Sequence, residues 1–149
     1  MTLTHTTATA EDVLGEPVSE EVAEAQSAAL DRVLALLEAD GVNAQLIRRV
    51  WIEAKTNGSG VQKRWHPPQL VIYSDGGWRV ATVAIGPRSG AYTVELAQVG
   101  PDNQPLPDRI EVVPAGKAHR VARLITQNKT YQHGRLREAP RVIPGGRAS

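Results

Sequence analysis

The sequence predicts an α+β domain: an antiparallel sheet of four to five strands flanked by an N-terminal and a C-terminal helix. Apolar residues recur at helical spacing toward each end of the chain. The segments between them alternate with a period of two and are separated by Gly- and Pro-rich turns. Strands in one run, with helices outside that run, are typical of α+β folds. The expected order is α-β-β-β-β-(β)-α.

The first helix is expected at about residues 19–39. Its apolar stripe falls on Leu30, Val33, Leu34 and Leu37. Ser19 can cap its N-terminus, and Gly41 supplies the left-handed residue that often follows a helix. The last helix is expected at about residues 115–127, with an apolar face formed by Ala118, Val121, Ala122 and Ile125. We expect both helices to lie on one face of the sheet.

Residues 45–55 alternate with a period of two and predict a half-buried strand. The pattern places Leu46, Val50, Ile52 and Ala54 on one face, and Ile47, Arg49, Trp51, Glu53 and Lys55 on the other. A long connection is expected over residues 56–68. The remaining strands are expected at 69–74, 78–85, 91–99 and, as a short fifth strand, 109–113. Asp75-Gly76-Gly77 predicts a hairpin turn, and 100–108 a Pro-rich loop.

The predicted domain covers residues 18–128. Residues 1–17 are rich in Thr and Ala, and residues 129–149 are rich in Arg, Gly and Pro. Neither segment offers enough apolar surface to offset the entropy of ordering it, so we expect a disordered N-terminal tail and a basic C-terminal tail.

Charge is divided unevenly along the chain. Residues 1–46 carry nine acidic side chains and one basic one, whereas residues 47–149 carry sixteen basic and seven acidic ones. Such a division favours either contact with a polyanion or pairing between the acidic first helix and the basic last helix. In the first case the acidic segment would act as an internal mimic of the ligand.

Several classes of chemistry lack a signature in the sequence. The chain has no Cys, which excludes disulfides and thiolate ligands and fits a cytoplasmic location. No apolar run is long enough to span a membrane, and no secretory signal is visible. The four histidines have no metal-ligand spacing, and we expect no cofactor. A small enzyme built on His66 and Asp75, meeting across the first hairpin, is the least favoured hypothesis.

The favoured hypothesis is a non-enzymatic module that binds a polyanion, most simply nucleic acid. The basic last helix and tail would supply the contact, and the candidate residues are Lys63, Arg64, Lys117, Arg120 and Arg123. The alternative for these cations is a solvated helix face, or pairing with the acidic first helix.

The alternative function is protein–protein interaction, with a protein partner or a second copy of the chain. Its surface would be an aromatic sheet face or the 56–68 loop, and the candidate residues are Arg49, Trp51, Trp65 and Tyr73. An aromatic residue among cations on an open sheet face is also how several nucleic-acid modules stack bases. Trp51 could instead pack under a loop or tail, or beside Tyr73.

The order of elements with a basic final helix resembles the double-stranded RNA-binding domain, through Gly116, Lys117, Arg120 and Arg123. The additional strand and the long first connection depart from that pattern. The resemblance covers topology and a few charges, so we assign no family and carry over no binding residue.

Overall fold

The computed structural model describes residues 16–54, 58 and 60–128. The described elements run in the order α-β-β-β-β-β-α, which confirms the predicted α+β class and adds a full fifth strand. They are α1 (Glu20–Ala39), β1 (Asn43–Ala54), β2 (Val61–Tyr73), β3 (Arg79–Ile85), β4 (Tyr92–Val99), β5 (Pro105–Val113) and α2 (Ala118–Thr126). A short 3-10 turn, Pro101–Asn103, joins β4 to β5.

All five strands pair antiparallel in chain order, β1-β2-β3-β4-β5. Short turns make this possible. At the predicted hairpin, the Ser74 amide donates to the Trp78 carbonyl at 2.8 Å, and Gly77 adopts a φ of 91°. A side chain at that positive φ would be strained, which explains the glycine. β3 is the central strand of the five and carries apolar residues on both faces.

Both helices pack on one face of the sheet. Leu30, Val33 and Leu37 of α1 and the apolar stripe of α2 are buried against alternate residues of the strands. The core residues contributed by the strands are Leu70, Ile72, Val80, Ala81, Val83, Ile85, Tyr92, Val94, Leu96 and Val113. Ser19 caps α1 by accepting from the Val22 amide at 3.1 Å, as predicted. No described helix covers the opposite face of the sheet, here called the open face.

The connection predicted over 56–68 is wrong for residues 61–68, which form the first half of β2. The pairing with β1 passes from Ile47↔Gln69 to Arg49↔His66, so two residues of β2, the consecutive prolines, oppose Arg48. Proline cannot donate to a ladder and is tolerated at bulges. The bulge therefore accommodates Pro67 and Pro68 within a strand.

The Pro-rich loop predicted over 100–108 is wrong in the same way, because β5 begins at Pro105. β5 is at the edge of the sheet, where an amide that points away from the neighbouring strand makes no ladder bond and proline is tolerated. The pairing passes from Leu96↔Arg109 to Gln98↔Leu106, so β5 also carries an inserted residue next to Pro107.

The predicted tails fall almost wholly outside the described residues, which exclude 1–15 and 129–149. Val18, just before α1, pairs with β2. The Val18 amide donates to the Trp65 carbonyl at 2.7 Å, on the edge of β2 that β3 leaves unpaired. No described helix has the length and apolar content required to cross a membrane.

Candidate functional site

The β1–β2 hairpin extends well past the rest of the sheet. β3 pairs with β2 only over Leu70–Tyr73, whereas β1 pairs with β2 as far as Ala54↔Val61. We call the extending part, residues 49–54 of β1 and 61–66 of β2, the arm. It projects about 17 Å at the usual rise per strand residue. Most of its side chains are exposed.

One face of the arm carries an aromatic ring between basic side chains. β1 has no inserted residue, so its alternation holds, and Trp51 shares the open face with Ile47 and Arg49. Arg64 lies directly opposite Trp51, where cross-strand Cβ atoms are about 5 Å apart. Trp51 is 46 % exposed. Arg49, Trp51 and Arg64, three of the predicted site residues, are thus brought together.

The other face of the arm is more apolar. Val50 is opposite Trp65, Ile52 is opposite Lys63, and each pair shares this face. Ile52 and Val61 are each 58 % exposed, which is high for β-branched side chains. Trp65 is half-buried. Trp65 and Lys63 therefore lie on the side of the arm away from Trp51.

Tyr73 lies far from the arm although it shares the open face with Trp51. It pairs with Asn43 at the opposite end of the β1–β2 ladder. Trp51 lies eight positions after Asn43 along β1, which corresponds to about 26 Å. The aromatic sheet face suggested by the sequence is therefore interrupted.

An ion pair neutralises part of the positive charge on the arm. Arg64 Nε lies 3.4 Å from Glu53 Oε1, with both side chains about half exposed. Just below the arm, Arg48 pairs with Glu24 of α1. Arg49 and Lys63 form no ion pair with any described residue. The described arm carries three cations against the single carboxylate of Glu53.

The basic residues of the last helix form a separate cluster. Lys117, Arg120 and Arg123 are exposed along α2. α2 lines a groove with Leu36 and the residues that follow it at the C-terminal end of α1. The arm instead lies near Glu24, about 18 Å away along the helix. The structure does not join Lys63 and Arg64 to the α2 cations.

The acidic and basic helices lie side by side but form no ion pair with each other within residues 16–54 and 60–128. Of the carboxylates on α1, Glu24 pairs with β1 rather than with α2. Lys117, Arg120 and Arg123 therefore retain their charge at the surface. The intramolecular pairing considered for the two helices is absent from this part of the chain.

Two shallow grooves flank α1. One, of about 340 Å³, lies between α1 and α2 and is lined by Leu36, Ala39, Asp40, His119, Ala122, Arg123 and Thr126. In it, the Thr126 hydroxyl donates to the Ala122 carbonyl at 3.1 Å, and the His119 side chain forms no hydrogen bond with another described residue. The other, of about 310 Å³, lies between α1 and the β3–β4 turn. Neither groove places a nucleophile against a base.

His66 and Asp75 do not meet. His66 is opposite Arg49 near the base of the arm, whereas Asp75 is in the β2–β3 turn, nine positions further along the chain. That separation is about 30 Å in an extended strand. Among the described residues, no group of three or more acidic or histidine side chains is placed to hold a metal ion.

Sequence reasoning missed the arm as a unit, together with its exposed apolar residues Ile52 and Val61. One signal in the sequence could have revealed it. The alternating segment 45–55 is longer than the other predicted strands, so part of it had to extend past them. Comparisons with protein-family models, curated proteins and solved structures give no match. Function must therefore be argued from the residues of this chain.

Proposed function

We propose that this chain binds nucleic acid, with the open face of the arm as the contact surface. The observation that carries the proposal is the placement of exposed Trp51 between Arg49 and Arg64 on a projecting two-stranded ribbon. Aromatic rings stack on bases, and flanking cations neutralise phosphates. A two-stranded ribbon is also narrow enough to enter a major groove.

The α2 cations provide a second, purely electrostatic surface. Lys117, Arg120 and Arg123 are exposed and are not neutralised by α1. They lack a neighbouring exposed aromatic ring on the described helix. We therefore assign base stacking to the arm and sequence-independent attraction to α2.

Fluorescence anisotropy with a labelled single-stranded oligonucleotide, and with its duplex, tests the proposal. We expect binding at low salt that weakens steeply between about 50 mM and 200 mM salt. Trp51→Ala should weaken binding of the single strand about 5- to 160-fold, the range of one lost stacking contact. The matched control is Trp78→Ala, because Trp78 is 40 % exposed but lies at the β2–β3 turn.

Charge is tested separately. Arg49→Ala should reduce the slope of log affinity against log salt by about one, whereas Arg32→Ala, an exposed cation on α1, should not. Absence of binding at low salt would refute the proposal. Equal losses of affinity in Trp51→Ala and Trp78→Ala would show that the arm is not the contact surface.

The internal-mimic hypothesis can be tested without deleting α1, which the core requires. Glu20 and Glu21 are exposed in the first turn of α1, next to the residue that caps it. Glu20→Gln combined with Glu21→Gln should strengthen oligonucleotide binding at low salt and leave it unchanged at high salt. An unchanged affinity at low salt would contradict the mimic hypothesis.

Protein–protein contact is the second candidate function, favoured by the apolar side chains of Val50, Ile52 and Val61 on the other face of the arm. Ile52→Thr removes apolar surface but keeps a β-branched residue in the strand. If protein–protein contact is the function, Ile52→Thr should reduce association with the protein partner and leave oligonucleotide affinity unchanged.

A further inference from the structure

The two edges of the sheet differ in how they are protected. β5, at one edge, carries Pro105 and Pro107, which lack amide hydrogens, and an inserted residue. β1, at the other edge, runs for 12 residues without proline or glycine. Its outer backbone groups pair with no described strand. An unprotected edge of this kind is a template for adding a strand.

The sequence of the arm part of β1 is complementary to itself when two copies run antiparallel. A register centred on Trp51 sets Arg49 against the partner's Glu53, and Val50 against the partner's Ile52. The two-fold axis repeats both pairs. Opposite charges and β-branched residues are favourable cross-strand partners. Moving the centre to Arg49 or to Glu53 would instead set like charges against each other.

The ion pairs within one chain leave Arg49 and one carboxylate oxygen of Glu53 able to pair with a second copy. Glu53 uses Oε1 for Arg64, so Oε2 remains to accept from a second arginine. Arg49 forms no ion pair with any residue in the described ranges. In the dimer, Glu53 would lie between Arg64 of its own chain and Arg49 of the partner. Charge complementarity thus selects a second copy as the occupant of this edge.

We propose that two copies of the chain pair through residues 49–53 of β1, antiparallel and centred on Trp51, joining their sheets across a two-fold axis. Such an interface is isologous, and its contacts are made twice. Edge pairing joins the two arms side by side through backbone groups, so each face of the joined arms stays open apart from the cross-strand contacts described above. The proposal does not depend on nucleic acid binding.

The test is sedimentation velocity on the full chain without nucleic acid, from about 1 µM to about 500 µM. We expect a monomer–dimer equilibrium. Arg49→Glu and Glu53→Arg should each weaken dimerisation by about tenfold or more, because each creates two like-charge contacts. The double variant exchanges the charges and should restore dimerisation to within about threefold of the original.

The matched control is Arg109→Glu, which reverses an exposed arginine on the β5 edge and should leave the equilibrium unchanged. Far-ultraviolet circular dichroism checks that each variant remains folded. A monomer at every concentration overturns the proposal. So does a double variant no better than the single ones, or a loss in Arg109→Glu equal to that in Arg49→Glu.

Discussion

Tyr92 connects the sheet to α1 through one polar contact. Its ring is 1 % exposed within the core, and its hydroxyl donates to the Ala29 carbonyl at 3.1 Å. Buried tyrosine hydroxyls usually find such a partner. The contact joins β4 to the middle of α1, whose other polar contact with the sheet is the Arg48–Glu24 ion pair among the described residues.

Tyr92→Phe should lower the free energy of unfolding by about 0.5–1.5 kcal/mol, the usual contribution of one hydrogen bond. The measurement is urea denaturation followed by circular dichroism. Tyr73→Phe is the matched control, since Tyr73 lies half-buried on β2 and its hydroxyl bonds to no described residue. A loss at Tyr73 as large as at Tyr92 would show that the Ala29 contact contributes nothing specific.

At the scale of the element, α1 begins where its local sequence requires it to. Ser19 has extended backbone angles and bonds to the Val22 amide, and acidic residues occupy the first turn. These groups satisfy a free amide and complement the positive end of the helix dipole. The start of α1 could be predicted from the sequence because it is set by residues that are neighbours in the chain.

Ser19→Ala should destabilise the domain by about 1 kcal/mol, because the cap is lost. Ser19→Asp should retain most of that stability, since its carboxylate can accept from the same amide. Urea denaturation of both variants provides the comparison. Equal losses in the two variants would mean that the cap does not stabilise α1.

The elements that sequence reasoning missed share one cause. Pro67-Pro68 and Pro107 are turn formers by composition, and both lie inside strands. They are accommodated by inserted residues and by strand edges without a partner. Those features depend on which strands are neighbours, and one strand's sequence does not specify its neighbours. Tertiary context therefore overrode local preference at these prolines.

At the scale of the whole molecule, one core joins three parts of the chain. Leu30 of α1 is fully buried in the core that the sheet shares with both helices, whereas Leu36 on the same helix is 38 % exposed beside α2. A single shared core predicts cooperative unfolding of the described domain.

Leu30→Ala should cost about 2–5 kcal/mol, whereas Leu36→Ala should cost about 1 kcal/mol. Helix circular dichroism and tryptophan fluorescence, followed during urea unfolding, should give coincident transitions in both variants. Separate transitions for the two signals would show that the helices and the sheet unfold independently.

The candidate site was predicted only in part. The sequence identified Arg49, Trp51 and Arg64 individually, and alternation placed the first two on one face of β1. It could not show that Arg64 lies opposite Trp51, because that register depends on a bulge at Pro67-Pro68. Nor could it separate the arm from α2, since their distance follows from how α1 packs.

The order of the strands has a consequence for synthesis. Each strand pairs with the one made just before it, so the sheet can lengthen strand by strand as the chain leaves the ribosome. The core cannot close at that stage, because Val121 and Ile125 are among the last described residues to be made. Until α2 emerges, Leu96 and Val113 lack part of their cover, and the growing chain is most exposed to aggregation at that point.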